Sequence, residues 1–287
     1  MLNLIDSHVH FWDPARLRYD WLKSAPAIQR PFLPAQLPRQ GPGWRLAGLV
    51  FVQADCAAEQ GQAEVEWVTG LAEADTAIRG IVAFAPLELG EAARPQLEWL
   101  SGQRLVKGVR RLIQAEAAGF ALAPDFVRGV ALLAEFGLSF DIAVRNDQLA
   151  EALALARQCP GVAFVLDHIG NPDIQAGRRE PWQQDLAAMA AEPNVVCKAS
   201  GVVTRADHQH WQAAELRPYI EYVLERFGPE RVLYGSDWPV ETLAADYEQW
   251  VTVLMDVMAG RPEAEQQKLF GENTRRVYRL DDGMEMD

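Results

Sequence analysis

Eight short apolar runs separated by helix-patterned segments predict an α/β protein closed as a (β/α)8 TIM barrel, one domain over residues 1–280. The runs are nearly continuous in Val, Ile, Leu and Phe, as strands are when helices cover them on the outside. The chain of 287 residues is 49% hydrophobic with 11 Phe and 9 Trp, enough apolar material for one large core. A chain of this length commonly forms a single barrel domain.

The expected strands come in chain order as "NLIDSHV", "LAGLVFVQA" (46–54), "IRGIVAFAP" (78–86), "LVKGVRRL" (105–112), "LSFDIAV" (138–144), "AFVLDHI" (163–169), "NVVCKAS" (194–200) and "RVLYGSD" (231–237). Between them, "AEVEWVTGLAEAD" sets Val65, Val68, Leu71 and Ala72 on one helical face. "PDFVRGVALLAEFG" opens with Pro and Asp and stops at Gly137, and "LRPYIEYVLERFG" stops at Gly228, the start and stop signals of crossover helices. "EAEQQKLFGENTRRVYRL" reads as a terminal helix ending on the barrel, followed by an acidic tail over 281–287 that is expected to fray. Residues 12–44 break the rhythm with six prolines and Trp12, Trp21 and Trp44. A connection this long after the first strand lies on the catalytic face of a barrel and is expected to wall or cover the site.

The formal charge is −13, from 27 basic and 40 acidic side chains. That excludes a nucleic-acid or anionic-membrane surface, which needs clustered Lys and Arg. It leaves room for a small anion held by a few arginines. Cys56, Cys159 and Cys197 are sparse and far apart, which fits buried thiols in a reducing compartment. With no apolar run long enough to span a bilayer and no leader pattern, a soluble cytoplasmic protein is expected.

Only five histidines occur, and two stand in "LIDSHVHFWD" at the end of the first strand. Their i, i+2 spacing puts His8 and His10 on one face, and Asp6 is expected to share it. In a barrel the C-terminal strand ends face the active site. Strand six brings His168 to that mouth and strand eight brings Asp237 in "YGSDWP". Three imidazoles and a carboxylate suit Zn or Mn. A second HxH, His208 and His210 in "DHQHW", lies among polar residues after strand seven and reads as solvent-facing.

The set HxH, His and Asp resembles the amidohydrolase superfamily. "IDSHVHFWDP", "YDWL", "KGVRRLIQ", "VLDHIGNP", "VCKASGVVT" and "LYGSDWPV" are similar to its amidohydrolase-2 branch, within it most like the sugar lactonases of the L-fuconolactonase and L-rhamnonolactonase type, with the metal-independent 2-pyrone-4,6-dicarboxylate lactonases close by. The resemblance spans residue 4 to about residue 280. It implies a hydrolase acting on a small-molecule lactone, with His8, His10, His168 and Asp237 either ligating at most one divalent ion or working without metal. Lys107 precedes Gly108, deep in strand four, and is not placed as the bridging ligand of binuclear relatives.

Opening a lactone needs an activated water, a polarised carbonyl and a proton for the departing alkoxide. Asp237 is the expected general base. His8, His10 and His168 would then face the developing oxyanion, or a bound ion would polarise the carbonyl. The resemblance matches Arg110 to an arginine that contacts substrate oxygens. Arg111 should point the other way by strand alternation and is the second candidate if that strand ends sooner. Asp141 and Arg145 share the polar face of strand five and are expected to touch sugar hydroxyls or to pair internally. Lys198 and Gln53 stand near strand tips, and Trp21 and Trp238 could offer apolar walls to a sugar ring. A metal-dependent decarboxylase of an aromatic or muconate-type acid, and a non-catalytic barrel binding a small acid, are the competing readings.

Overall fold

The computed structural model describes residues 1–281. The expected tail over 281–287 falls, beyond its first residue, outside the described residues. Eight parallel strands form the sheet: β1 (Leu2–Val9), β2 (Trp44–Val52), β3 (Ile78–Ala83), β4 (Val106–Arg110), β5 (Ser139–Ile142), β6 (Phe164–Leu166), β7 (Val195–Ala199) and β8 (Val232–Tyr234). Each pairs with its successor in sequence. Closure between β8 and β1 is made beyond the strand ends. Asp237 donates its amide to the His8 carbonyl at 2.9 Å, His10 donates to the Trp238 carbonyl at 2.7 Å, and Val9 bridges Trp238. The seam of the barrel therefore runs through residues of the predicted site.

Seven helices follow β2 to β8: α1 (Gly61–Ala74), α2 (Arg94–Ser101), α3 (Pro124–Leu132), α4 (Leu149–Gln158), α5 (Trp182–Ala190), α6 (Ala213–Phe227) and α7 (Tyr247–Met258). α3 begins at Pro124, and α6 stops at Gly228 with φ at 70°, as the punctuation predicts. The observed strands are shorter than the apolar runs. The last residues of each run, such as "DHI" after β6 and "GSD" after β8, turn over the barrel mouth instead of continuing the ladder.

The connection after β1 has no α-helix. It holds 3-10 turns at Asp20–Ser24, Pro26–Ile28 and Pro34–Gln36, and a two-residue strand at Gln40–Gly41 that pairs antiparallel with the start of β2. It is packed, not loose. Trp12 is fully buried, donates its indole N–H to the carbonyls of Ile28 and Arg30, and stacks edge-on against Trp21 and Phe32.

The terminal segment, read as one helix, is divided into α8 (Glu263–Gln267), a π-helical turn (Lys268–Glu272) and α9 (Asn273–Val277). Behind it Tyr278 and Leu280 join Ile5, Val50, Val82 and Leu233 in an apolar cluster inside the barrel. Leu280 meets Gly80 near the start of β3, and Arg279 donates to the Lys107 carbonyl at the foot of β4, so this segment closes the N-terminal end. All three cysteines are buried and free. Among the described residues no helix is long and apolar enough to cross a membrane.

Candidate active site

His10 anchors the site's hydrogen-bond pattern. Its Nδ1 lies 2.7 Å from the Val52 carbonyl, which only accepts, so Nδ1 carries the proton and Nε2 is left bare. That Nε2 is 3.1 Å from His8 Nε2 and 3.3 Å from Asp237 Oδ1. His168 Nδ1 sits 2.9 Å from the Ser200 hydroxyl. Ligand atoms of His8, His168 and Asp237 all lie within 4.8 Å of one another. The strand-end residues predicted to converge therefore do so.

Two backbone features bring them close. Asp237 has φ of 70° and His168 of 55°, conformations that side chains with a Cβ rarely adopt. Gly201, after β7, has φ of 60°, and a Cβ there would lie 2.6 Å from His168 Nδ1 and 3.1 Å from Asp237 Oδ2. Only glycine lets this turn pass so near both groups.

Burial sets the charge states. It pushes His8 well below the ordinary histidine range, opposed by Asp167 and reinforced by Lys198 and His168. Burial also lowers His10, against the Asp237 carboxylate 3.3 Å from its Nε2, and His168, against Asp237 and Asp167. Burial alone would raise Asp237, but His168 and the neighbouring rings of His10 and His8 hold its carboxyl well below the usual carboxylate range. The resting site thus pairs neutral imidazoles with an ionised carboxylate, the state a general base needs.

A cavity of about 200 Å³ opens above these groups, lined among others by His10, Trp21, Arg110, His168, Arg205 and Asp237. Arg110 is held from below, with Nη2 donating to the Gln53 carbonyl at 2.5 Å and Nη1 3.4 Å from Asp167 Oδ2 and 3.3 Å from His8 Nε2. Trp21 donates its indole N–H to the Ala54 carbonyl and forms one wall.

Several expected substrate contacts lie elsewhere. Asp141 and Lys198 are fully buried beneath the site as an ion pair of 2.6 Å, with Lys198 Nζ also 3.1 Å from Asp167 Oδ1 and 3.1 Å from His8 Nδ1. The polar face of β5 does look inward, but Asp141 stands one layer too deep to reach the cavity. Arg111 points away, to Glu88, Glu116 and the ring of Phe120. Gln53 is buried, and its Oε1 accepts the Asp55 amide. Trp238 is 4% exposed and packs on Phe11 and Phe32, supporting the first-strand loop. Arg145 pairs with Asp147 on a neighbouring polar cavity of about 300 Å³. Asp6 leaves the histidine face. An irregularity in β1 between Asp6 and Val9 turns its carboxylate to the Ser236 amide and the Tyr247 hydroxyl of α7. His208 and His210 are exposed, bonded to Thr204 and Asp207.

Sequence reasoning missed Asp55 and Arg205. Asp55 follows β2 with φ of 57° and lines the cavity beside His10 and Arg110. Arg205 follows β7 and borders both cavities. The available signal was a charged residue just past a strand end; the reading stopped at the strand tips of two and seven, with Gln53 and Lys198, and did not follow the loops beyond them.

A parallel barrel with an HxH pair, a strand-six histidine and a strand-eight aspartate at its mouth defines a class of barrel hydrolases. The amidohydrolase family model matches residues 5–280, and the chain belongs to that family. It is 33% identical to an L-fucono-1,5-lactonase of Burkholderia multivorans, over 96% of each chain. It is 26% identical to an L-rhamnono-gamma-lactonase of Scheffersomyces stipitis, over 71% of this chain and 69% of that one. An amidohydrolase from Burkholderia multivorans solved with bound zinc superposes with a TM-score of 0.85 at 31% identity, covering 97% of this chain and all of that one.

The donor set here suits one divalent ion in kind and spacing. His8, His168 and Asp237 could hold it with His10 at hand, and such an ion would polarise a carbonyl or lower the pKa of its water.

Proposed function

We propose that the chain is a hydrolase that opens the ester ring of a small sugar lactone. One observation carries this reading: an ionised, buried Asp237 meets His10, His168 and Arg110 in the lining of one small cavity, with His8 buried behind them. The lactonase relatives that span the chain support it.

In this mechanism Asp237 takes a proton from a water as that oxygen attacks the carbonyl carbon. Arg110 and His168 face the oxyanion that develops. The ring C–O bond then breaks, and the proton held on Asp237 passes to the departing alkoxide, leaving the open hydroxy acid. Trp21 offers an apolar wall to the C–H face of the sugar ring. Zn or Mn is the expected ion if one binds at the His–Asp cluster.

Aldonolactones in weak buffer with a pH indicator test the reading, since each turnover releases an acid. Silence across the panel would sink it. Carbon dioxide release from aromatic acids in the same panel would favour a decarboxylase instead. Metal analysis of the purified protein, with activity measured before and after a chelator, decides the ion.

A further inference from the structure

The turn after β2 is clamped more firmly than a surface loop requires. Asp55 stands there at φ of 57°, a conformation that residues with a Cβ seldom adopt. Three side chains fix the backbone around it. Gln53 is buried and accepts the Asp55 amide on Oε1 at 2.6 Å. Glu64 of α1 is also buried and accepts the Ala54 amide on Oε1 at 3.1 Å. Trp21 donates its indole N–H to the Ala54 carbonyl at 2.8 Å. Residues over-determined in this way cluster at binding and catalytic sites.

What the clamp presents is the Asp55 carboxylate. It lines the catalytic cavity with His10, Trp21 and Arg110. Asp141 and Asp167, a layer below, are both paired with Lys198. Asp55 has no ion pair and no side-chain hydrogen bond among the described residues. Burial raises its carboxyl, and the charges of Arg110 and Arg111 oppose the rise. An ionised carboxylate only accepts hydrogen bonds. The donors beside it are directed elsewhere: His10 Nδ1 to Val52, Trp21 Nε1 to Ala54 and Arg110 Nη2 to the Gln53 carbonyl. A molecule entering the cavity is left to supply the donors.

Trp21 and Asp55 are tied through the same residue, Ala54, so an apolar wall and an acceptor are fixed relative to one another. Leu112, Ala143 and Val240 extend the apolar lining. A sugar ring matches this pairing, with C–H faces and hydroxyls around its edge. Because β2 neighbours β1, Asp55 stands on the His10 side of the mouth, where the carbonyl carbon lies over Asp237.

We propose that Asp55 is a specificity-determining residue. It accepts hydrogen bonds from the two hydroxyls nearest the lactone carbonyl, at C2 and C3, while Trp21 covers the ring face. This rests on the lactonase reading and narrows the substrate to lactones hydroxylated at both carbons.

Two comparisons test it. Asp55→Gly removes the carboxylate and suits the positive φ, and Asp55→Asn keeps the shape with one acceptor oxygen. On a 2,3-dihydroxy lactone, kcat/KM should fall about 10–100-fold in Asp55→Gly, the scale of losing hydrogen bonds to a charged group, and less in Asp55→Asn. On the 2,3-dideoxy lactone both variants should stay within about threefold of the unmodified protein. An equal loss on both lactones overturns the proposal, since Asp55 would then serve bond breaking or the fold. No loss on either also overturns it. Titration calorimetry with the matching lactams, whose ring N–H replaces the ester oxygen, reads the same preference without turnover. The unmodified protein should bind the dihydroxy lactam at least about tenfold more tightly than the dideoxy one, and Asp55→Gly should bind both alike. Equal binding of the two by the unmodified protein, or none, overturns the assignment even if a variant fails to fold. If no lactone is hydrolysed, the functional reading fails while the lactams still decide the role of Asp55.

Discussion

The two ends of the barrel are built from opposite materials. At the C-terminal mouth stand Asp55, Arg110, His168 and Asp237, with His8, Lys198, Asp141 and Asp167 packed below them. At the N-terminal end, Ile5, Val50, Val82, Leu233 and Leu280 make a dry plug. Five of the six non-glycine residues with positive φ among the described residues (Asp55, His168, Ile169, Asn171 and Asp237) follow the C-terminal ends of strands. Each such conformation costs about 1–3 kcal/mol. The difference teaches that the barrel interior keeps its apolar plug at one end and its strain and buried charge at the other.

The largest break in this contrast should come at Asp237. Asp237→Asn keeps shape and removes the base, so kcat should fall by about 10²–10⁴ with thermal stability little changed, read by lactone assay and melting. Next is Lys198→Met, which strands the Asp141 and Asp167 carboxylates in the interior. A loss of about 3–5 kcal/mol in urea unfolding is expected, as when one partner of a buried ion pair is removed; a loss under 1 kcal/mol would mean the pair is not charged. At the plug, Ile5→Val should cost about 1 kcal/mol of stability and leave kcat per folded molecule unchanged. Arg111→Ala should change kcat/KM less than about twofold, because its partners are Glu88 and Glu116 on the outer side; a tenfold loss would restore it as a substrate contact.

The smallest expected effect is that of pH. Asp237 is depressed in the fold, so its carboxylate form is lost only as pH falls well below the ordinary value of about 3.9. Burial lowers His8, His10 and His168, so they stay neutral through their ordinary range near 6.5. kcat/KM should therefore be level from about pH 8 down through the ordinary histidine range near 6.5. A limb centred near 6.5 would show that a site histidine titrates as if exposed.

Much of the mouth was legible. Strand periodicity placed His8 and His10 together, and turned Arg110 inward and Arg111 outward. The rule that barrel sites gather at C-terminal strand ends picked out His168 and Asp237. The same reading went wrong wherever depth mattered. Asp141 and Arg145 lie on one face of one segment, yet one is sealed under the site and the other pairs at the rim. Trp238 follows the proposed base directly and still serves the loop wall. Asp6 obeyed the alternation in sequence and lost it to an irregularity in β1.

The sequence by itself determined the eight-strand order, the helices between them and the parity of each strand, because these depend on local periodicity and on turn residues at fixed spacing. Only the tertiary structure decided how far each inward side chain lies below the mouth and which distant residue it meets. Lys198 finds Asp141, Asp167 and His8, and Tyr278 comes from the far end of the chain to complete that set. Those meetings depend on barrel stagger, on closure of β8 against β1 and on where the chain end plugs the foot, long-range geometry that no local pattern encodes.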